Sequence, residues 1–233
     1  MKPAKLSVVV PVYNEADTLE EVVRRVYAVD IGAVDKDVII CNDGSTDDTS
    51  AVIERLYQVY PTLKIYTAPI NLGKGAAVRV GMRLSTGDVT IIQDADLELD
   101  PGDYPALLAP FADPQVQVVY GSRFLHGMKG SSRSSRWANR GLTFLTNVLF
   151  GGRLSDMETA YKVLRREVVQ GLQLRCVRFD FEPEITAKLL LAGYKIHEVP
   201  VTYYPRTTQQ GKKMAWVDGL DALYTLLRCR LFG

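Results

Sequence analysis

Leu6-Ser7-Val8-Val9-Val10-Pro11-Val12-Tyr13-Asn14-Glu15 is an almost unbroken apolar run that turns polar within its last three residues. A short β-branched run without polar alternation predicts a strand covered on both faces, the habit of parallel sheets packed between helices. Four more runs of this kind follow, at 37–42, 64–67, 89–94 and 116–122. Between them, apolar residues recur at helical spacing: Leu19, Val22, Val23 and Val26, then Val52, Ile53 and Leu56, then Ala76, Val80 and Leu84. Strand and helix in alternation predict an α/β fold, a doubly wound and mostly parallel sheet with helices on both faces. In such sheets ligands bind at the carboxyl edge of the strands.

The rest of the chain is less regular. Helices are expected at 137–150, at 182–192 and from 215 onward, with a strand at 197–204 between the last two. No linker or repeat divides the 233 residues, of which 47% are hydrophobic. That is enough for one large core, and a single domain over 1–233 is expected. Cys41, Cys176 and Cys229 are far apart and odd in number, in no metal-ligand spacing, so they are read as reduced and structural. That usage favours the cytoplasm. The apolar start is too short for a signal peptide, and no window approaches the roughly 18 apolar residues of a spanning helix. A protein that is soluble or peripheral to a membrane is expected.

Charge is unevenly distributed. Through Asp113 there are 18 acidic and 10 basic residues, and afterwards 9 acidic and 18 basic, which leaves the first part anionic and the second cationic. The stretch 120–153 carries Arg123, Lys129, Arg133, Arg136, Arg140 and Arg153 and no carboxylate, a composition that attracts anionic partners.

Polar motifs follow the predicted strands. Asp94-Ala95-Asp96, with Glu98 two residues on, delivers carboxylates at a strand end, where oxygen ligands can hold a hard divalent cation and bridge it to a diphosphate. Pro11-Val12-Tyr13-Asn14-Glu15 ends the first strand and Asn42-Asp43-Gly44-Ser45-Thr46-Asp47 the second. Asp43 can accept hydrogen bonds from a base or ribose. In Asn71-Leu72-Gly73-Lys74-Gly75 two glycines, a lysine and a helix start coincide, so a diphosphate or a carboxylate of the site can lie there. Arg123 and the arginines at 133, 136 and 140 offer guanidinium groups suited to phosphate oxygens.

The ordered set VVPVYNE, NDGSTDDT, NLGKG, DADLELDP and YGSRF, continued by Asp156-Met157-Glu158-Thr159-Ala160-Tyr161-Lys162 and GKKMAWVDGL, resembles family 2 glycosyltransferases of the GT-A fold. Within them it is most similar to dolichyl-phosphate mannose synthases and bacterial polyprenyl-phosphate glycosyltransferases. The resemblance implies an inverting, metal-dependent hexosyltransferase. Its donor would be a nucleoside diphosphate sugar of the GDP-mannose or UDP-glucose type, and its acceptor a polyprenyl phosphate at the cytoplasmic face of a membrane. It implies a nucleotide-sugar half at 1–122 and an acceptor half at 123–233 that ends in an amphipathic helix. Pro11, Tyr13, Glu15 and Asp43 would hold the nucleoside, with Lys74, Arg206 and Lys212 also on the donor. Asp94, Asp96 and Glu98 would hold Mg²⁺ or Mn²⁺, and Arg123, Arg133, Arg136 and Arg140 the acceptor. Asp156 would be the base for a hydroxyl acceptor, or would order an acceptor-side arginine if the acceptor is a phosphate. No nucleic-acid partner is expected. The rival readings are a transferase with a soluble hydroxyl acceptor, a nucleotidyltransferase, which Val10-Pro11-Val12-Tyr13 does not suit, and a non-catalytic nucleotide-sugar binder. His126 and His197 have no partner spacing and are assigned no role.

Overall fold

The computed structural model describes residues 3–127, 132–206 and 216–232, the first three of the last segment by backbone alone. Lys212, expected on the donor, lies outside the described residues, as do Lys129 and Lys213. Seven strands, β1 (Lys5–Val12), β2 (Asp35–Asn42), β3 (Lys64–Thr67), β4 (Val89–Ile92), β5 (Val118–Ser122), β6 (Lys162–Arg165) and β7 (Ile196–Pro200), form one sheet in the order β3-β2-β1-β4-β6-β5-β7. The first four pair in parallel, β5 pairs in parallel with β7, and β6 runs antiparallel to both β4 and β5. The expected doubly wound, mostly parallel sheet is present.

Helices α1 (Leu19–Ala28), α2 (Thr49–Val59) and α4 (Tyr104–Leu108) pack on one face of the sheet. Helices α3 (Lys74–Leu84), α6 (Arg166–Gly171) and α7 (Phe181–Leu191) pack on the other. Strand β1 shows how a continuous apolar run serves two layers. Leu6, Val8, Val10 and Val12 enter one core cluster and Val9 the other, because successive side chains leave a strand on opposite sides. Each such fully buried side chain stabilises the fold by about 1.5–3 kcal/mol. A third cluster joins α5 (Arg133–Phe150) and α8 (Trp216–Phe232) to α7 through Leu154, Met157, Ala187, Leu226 and Cys229. All three cysteines are free and buried.

Strand β6 has no counterpart in the sequence reading, and Lys162 is the reason. A lysine interrupts the apolar run, yet it is fully buried here. Its ammonium donates to the carbonyls of Met157 and Thr159 and lies 4.6 Å from the centre of the Tyr120 ring. Burial pushes the Lys162 ammonium down to about 8. Helix α5 begins at Arg133, earlier than the apolar pattern indicates, because Ser132 caps it: the Ser132 hydroxyl accepts from the Ser135 amide at 3.1 Å. Among the described residues no helix is long and apolar enough to cross a membrane.

Candidate active site

Parallel strands deliver their following loops to one edge, and the antiparallel β6 brings its preceding loop, 156–161, to that same edge. These loops enclose a cleft of about 880 Å³ whose lining includes Asp43, Lys74, Asp94, Asp96, Arg123 and Glu158. Two non-glycine residues on this edge, Asn14 and Leu97, have left-handed backbone, with φ of 52° and 62°. Such strain is held in place by surrounding structure and collects at ligand sites.

Asp43 organises the nucleoside side. Its carboxylate accepts from the Leu72 amide (2.9 Å), the Gly73 amide (2.6 Å) and the Asn71 side chain (2.8 Å). Past Lys74, the amides of Gly75 and Ala76 donate to the carbonyls of Arg178 and Val177. The amides of Leu72, Gly73, Gly75 and Ala76 are thus taken by protein acceptors, and a carboxylate, one of the two occupants anticipated here, lies against this helix start. Gly73 allows this approach: its φ is +111°, and a Cβ there would stand 2.6 Å from the Val177 carbonyl oxygen.

Lys74 joins distant parts of the chain, donating to Asp94 at 2.9 Å and to Glu182 of α7 at 2.7 Å. Burial opposes its charge, but the Asp94 and Glu182 carboxylates outweigh it and hold the ammonium above its ordinary range. Asp96 behaves oppositely. Desolvation, then the charges of Asp94 and Glu98, push its carboxyl up to about 7. Such a site is short of positive charge, and its donors are all oxygen, which suits a hard cation. No three acidic, histidine or cysteine side chains converge to hold an ion by themselves among the described residues. The residues present thus fit a cation held by two aspartates, with substrate phosphates supplying other ligands, the usual arrangement for Mg²⁺.

Glu98 has other partners in this structure. Its carboxylate accepts from the Arg206 amide at 2.8 Å and the Tyr203 hydroxyl at 3.1 Å, and its carbonyl accepts from the Tyr204 amide at 2.8 Å. This clasp draws the segment after β7 across the cleft. Arg206 then donates to the Asp96 carbonyl at 2.6 Å and to the Glu15 carboxylate at 2.8 Å.

The opposite wall is built on Arg123. Its Nε and Nη2 donate in parallel to Asp156 at 2.8 Å each, and its backbone amide adds a third bond at 3.0 Å. The carboxylate of Glu198 in turn accepts from the amides of Ser155 and Asp156. Asp156 is fully buried behind the arginine. In this placement it cannot meet an acceptor hydroxyl, whereas the remaining guanidinium hydrogens of Arg123 are available to the cleft that it lines.

Helix α5 separates its charges from the cleft. Ser135, Ala138, Asn139 and Leu142 line the cavity, whereas Arg133, Arg136 and Arg140 do not. At about 100° per residue the three arginines fall on the opposite face. They share it with Trp137, Phe144 and Val148, which are 72%, 69% and 63% exposed. Arg140 lies over the Phe124 ring and lines a separate groove of about 440 Å³. Thus Arg123 lines the cleft, and the three arginines of α5 stand with exposed apolar side chains.

The sequence profile of the family described as "Glycosyl transferase family 2" matches residues 7–172. The chain belongs to this family. It is 28% identical to a dolichol-phosphate mannosyltransferase of Pyrococcus furiosus over 89% of this chain and 59% of that protein. It is also 28% identical to an undecaprenyl-phosphate 4-deoxy-4-formamido-L-arabinose transferase of an Enterobacter species, over 97% of this chain and 67% of that protein. The chain thus spans between about half and two thirds of the length of these relatives. Its fold matches glucosyl-3-phosphoglycerate synthase from Mycobacterium tuberculosis, crystallised with Mn²⁺, uridine diphosphate and phosphoglyceric acid. The TM-score is 0.73 at 20% identity, over 98% of this chain and 79% of that one. The architecture is therefore GT-A.

In this glycosyl transferase family 2 chain, several cleft residues carry no signal in the sequence. Glu182 is 108 positions from the lysine it contacts, and Tyr203 is 105 from Glu98. Glu158 lies inside a recognised motif, but its neighbours are known only once β6 is seen to run antiparallel. For Asp43 the hydrogen bonds give a definite expectation. Asp43→Ala frees the 71–73 loop, and we expect the donor KM to rise tenfold or more with kcat changed less, since a contact remote from the reacting carbon acts through uniform binding. Initial rates over a donor concentration series check this, and an unchanged KM with a collapsed kcat would place Asp43 at the chemistry.

Proposed function

We propose that this chain transfers a hexosyl group, with inversion, from a nucleoside diphosphate sugar to a polyprenyl phosphate at the cytoplasmic face of a membrane. The observation that carries the reading is the disposition of the cleft around α5. One wall presents Asp94, Asp96 and Lys74, the other presents Arg123, and the outer face of the intervening helix is an exposed apolar surface set with arginines. Helix α8 adds a second exposed apolar face. It packs Leu226 and Cys229 inward, while Leu220, Tyr224, Leu227 and Leu231 remain exposed on its other side. A helix that is apolar on both sides suits a chain that meets lipid, and arginines beside it suit anionic headgroups. The names of the Pyrococcus and Enterobacter relatives supply the acceptor class, and the Mycobacterium complexes supply the uridine diphosphate and the Mg²⁺ or Mn²⁺.

In this reading Asp94 and Asp96 hold Mg²⁺ or Mn²⁺ against the donor diphosphate, where the cation neutralises charge growing on the leaving group. Lys74 holds Asp94 in place from below. Glu15 and Arg206 close the nucleoside end, and Asp43 supports the loop beneath it. Arg123, aligned by Asp156, receives the acceptor phosphate. A phosphate monoester is already anionic near neutral pH and attacks without a general base, which agrees with an Asp156 sealed from the cleft. The arginines of α5 act at the bilayer surface, outside the cleft.

The test is transfer from a panel of UDP- and GDP-hexoses to undecaprenyl phosphate in vesicles, compared with soluble phosphate and hydroxyl acceptors. Preference for the lipid phosphate is expected, and preference for a soluble hydroxyl acceptor would replace this reading with the rival transferase. Replacing Arg133, Arg136 and Arg140 together with Ala should weaken binding to anionic vesicles by about 3 kcal/mol, at about 1 kcal/mol per base. Turnover of a short-chain prenyl phosphate in detergent should persist in that variant. Vesicle co-sedimentation at rising salt reads the first effect, and salt-independent binding would contradict it.

A further inference from the structure

Glu158 is a group that the proposed chemistry does not use. It sits on the loop before β6 and lines the cleft, yet no protein group among the described residues donates to its buried Oε1. The charged groups around it are otherwise paired, and the adjacent Thr159 hydroxyl is, among the described residues, the other buried polar atom of this loop without a partner. Lys74 bonds Glu182 and Asp94, Arg123 bonds Asp156, and Lys162 is held by the Met157 and Thr159 carbonyls. Glu158 lies close enough to Glu182, Lys162, Arg123 and Asp156 to feel their charges, with burial and then Glu182 pushing its carboxyl up to about 7. A buried carboxyl oxygen without a partner is costly, and in a folded protein it calls for an explanation. Desolvation and a like-charged neighbour do not recommend the position on structural grounds.

Its place in the cleft suggests the use. The diphosphate side is marked by Asp94, Asp96 and Lys74, and the acceptor side by Arg123. A sugar in transit bonds to both in turn, and Glu158 lines the same cleft within electrostatic reach of Arg123 on the acceptor side and of Glu182, the partner of Lys74, on the other. We propose that Glu158 is a specificity-determining residue that hydrogen-bonds a hydroxyl of the transferred sugar. This inference rests on the donor class proposed above. A site built to bond a hydroxyl rejects the analogue that lacks it far more strongly than an apolar pocket rejects an extra group, because the polar group of the protein is left unpaired.

The experiment compares the parent with Glu158→Ala and Glu158→Gln. The probes are UDP, GDP, the preferred UDP- or GDP-hexose in the presence of Mn²⁺, and the monodeoxy analogues of that hexose nucleotide. Calorimetry reads binding and initial rates read transfer. In the parent, one deoxy donor should be used about 10- to 100-fold less well than the full sugar, the worth of a hydrogen bond to a charged group. In Glu158→Ala the full sugar should fall by a similar factor while that deoxy donor changes less than about threefold, so the ratio collapses. Glu158→Gln, which retains an acceptor oxygen, should keep part of it. Binding of UDP or GDP alone should not change. Thermal unfolding should show no loss of stability in either variant, whereas a merely structural glutamate would lower it. An equal fall for all donors, or parental discrimination in Glu158→Ala, overturns the assignment while leaving the transferase reading intact. Failure of the parent to bind any hexose nucleotide overturns both.

Discussion

Asp156→Ala is expected to lower the stability of the fold by about 3–5 kcal/mol, because it leaves the guanidinium of Arg123 without its counter-charge in a desolvated wall. Asp156 is fully buried and receives three hydrogen bonds from Arg123, two of them in the parallel geometry that gives such pairs their strength. Removing one partner of a buried pair costs far more than the pair itself contributes. Arg123→Lys is not a mild change either, since an ammonium cannot make the two-point contact and would leave one carboxylate oxygen short. Urea unfolding checks this: the midpoint should fall sharply with an unchanged slope. Any folded Asp156→Ala protein should show a raised acceptor KM and near-parental donor binding, because Lys74, Asp94 and Asp43 belong to the other wall. A midpoint within error of the parent would show that Arg123 finds another partner.

Asp96→Asn should reduce kcat on the order of 100-fold, corresponding to about 3 kcal/mol of lost charge stabilisation at the leaving diphosphate. The substitution retains the oxygen that accepts from the Glu98 amide at 3.0 Å, so the local turn should survive. What it removes is a carboxylate crowded by Asp94 and Glu98, whose own charge is unwelcome until a cation arrives. Two measurements separate a metal role from a structural one. The parent should gain thermal stability when Mn²⁺ and UDP are added together, by ligand linkage, and Asp96→Asn should gain much less. Excess EDTA should silence the parent, with recovery on adding Mg²⁺ or Mn²⁺. Full turnover in EDTA would remove the metal from the mechanism.

Much of this molecule is legible without coordinates because its signals are local. Val8 to Val12 form a strand with apolar neighbours on both sides, and the sequence around them carries that requirement in its β-branched run. The same holds for Val89 to Ile92, so the parallel half of the sheet and the edge that bears Asp43, Asp94 and Asp96 follow from the order of short motifs. Helix periodicity also contained the orientation of α5. At 100° per residue, Arg133 and Arg140 must lie beside Trp137 and Phe144 and away from Ser135 and Ala138, with Arg136 at the edge of that face. Which side faces the cleft was not contained in it.

What the sequence by itself determined is the α/β class, the carboxyl-edge site and the residue types gathered there, since each depends on neighbours a few positions apart. Tertiary structure alone decided the pairings. Lys162 stands in a motif without a strand signal and becomes a buried strand residue because the Met157 and Thr159 carbonyls and the Tyr120 ring replace water around its ammonium. Asp156 reads either as a base or as a residue that orders an acceptor-side arginine, and the fold buries it against Arg123, 33 positions away. Glu98 reads as a carboxylate beside the metal, and its bonds to Tyr203 and Arg206 come from a segment more than a hundred positions away. A carboxylate takes whichever donors the fold brings within about 3 Å of it, and those donors come from chain segments whose distance in sequence says nothing of their distance in space.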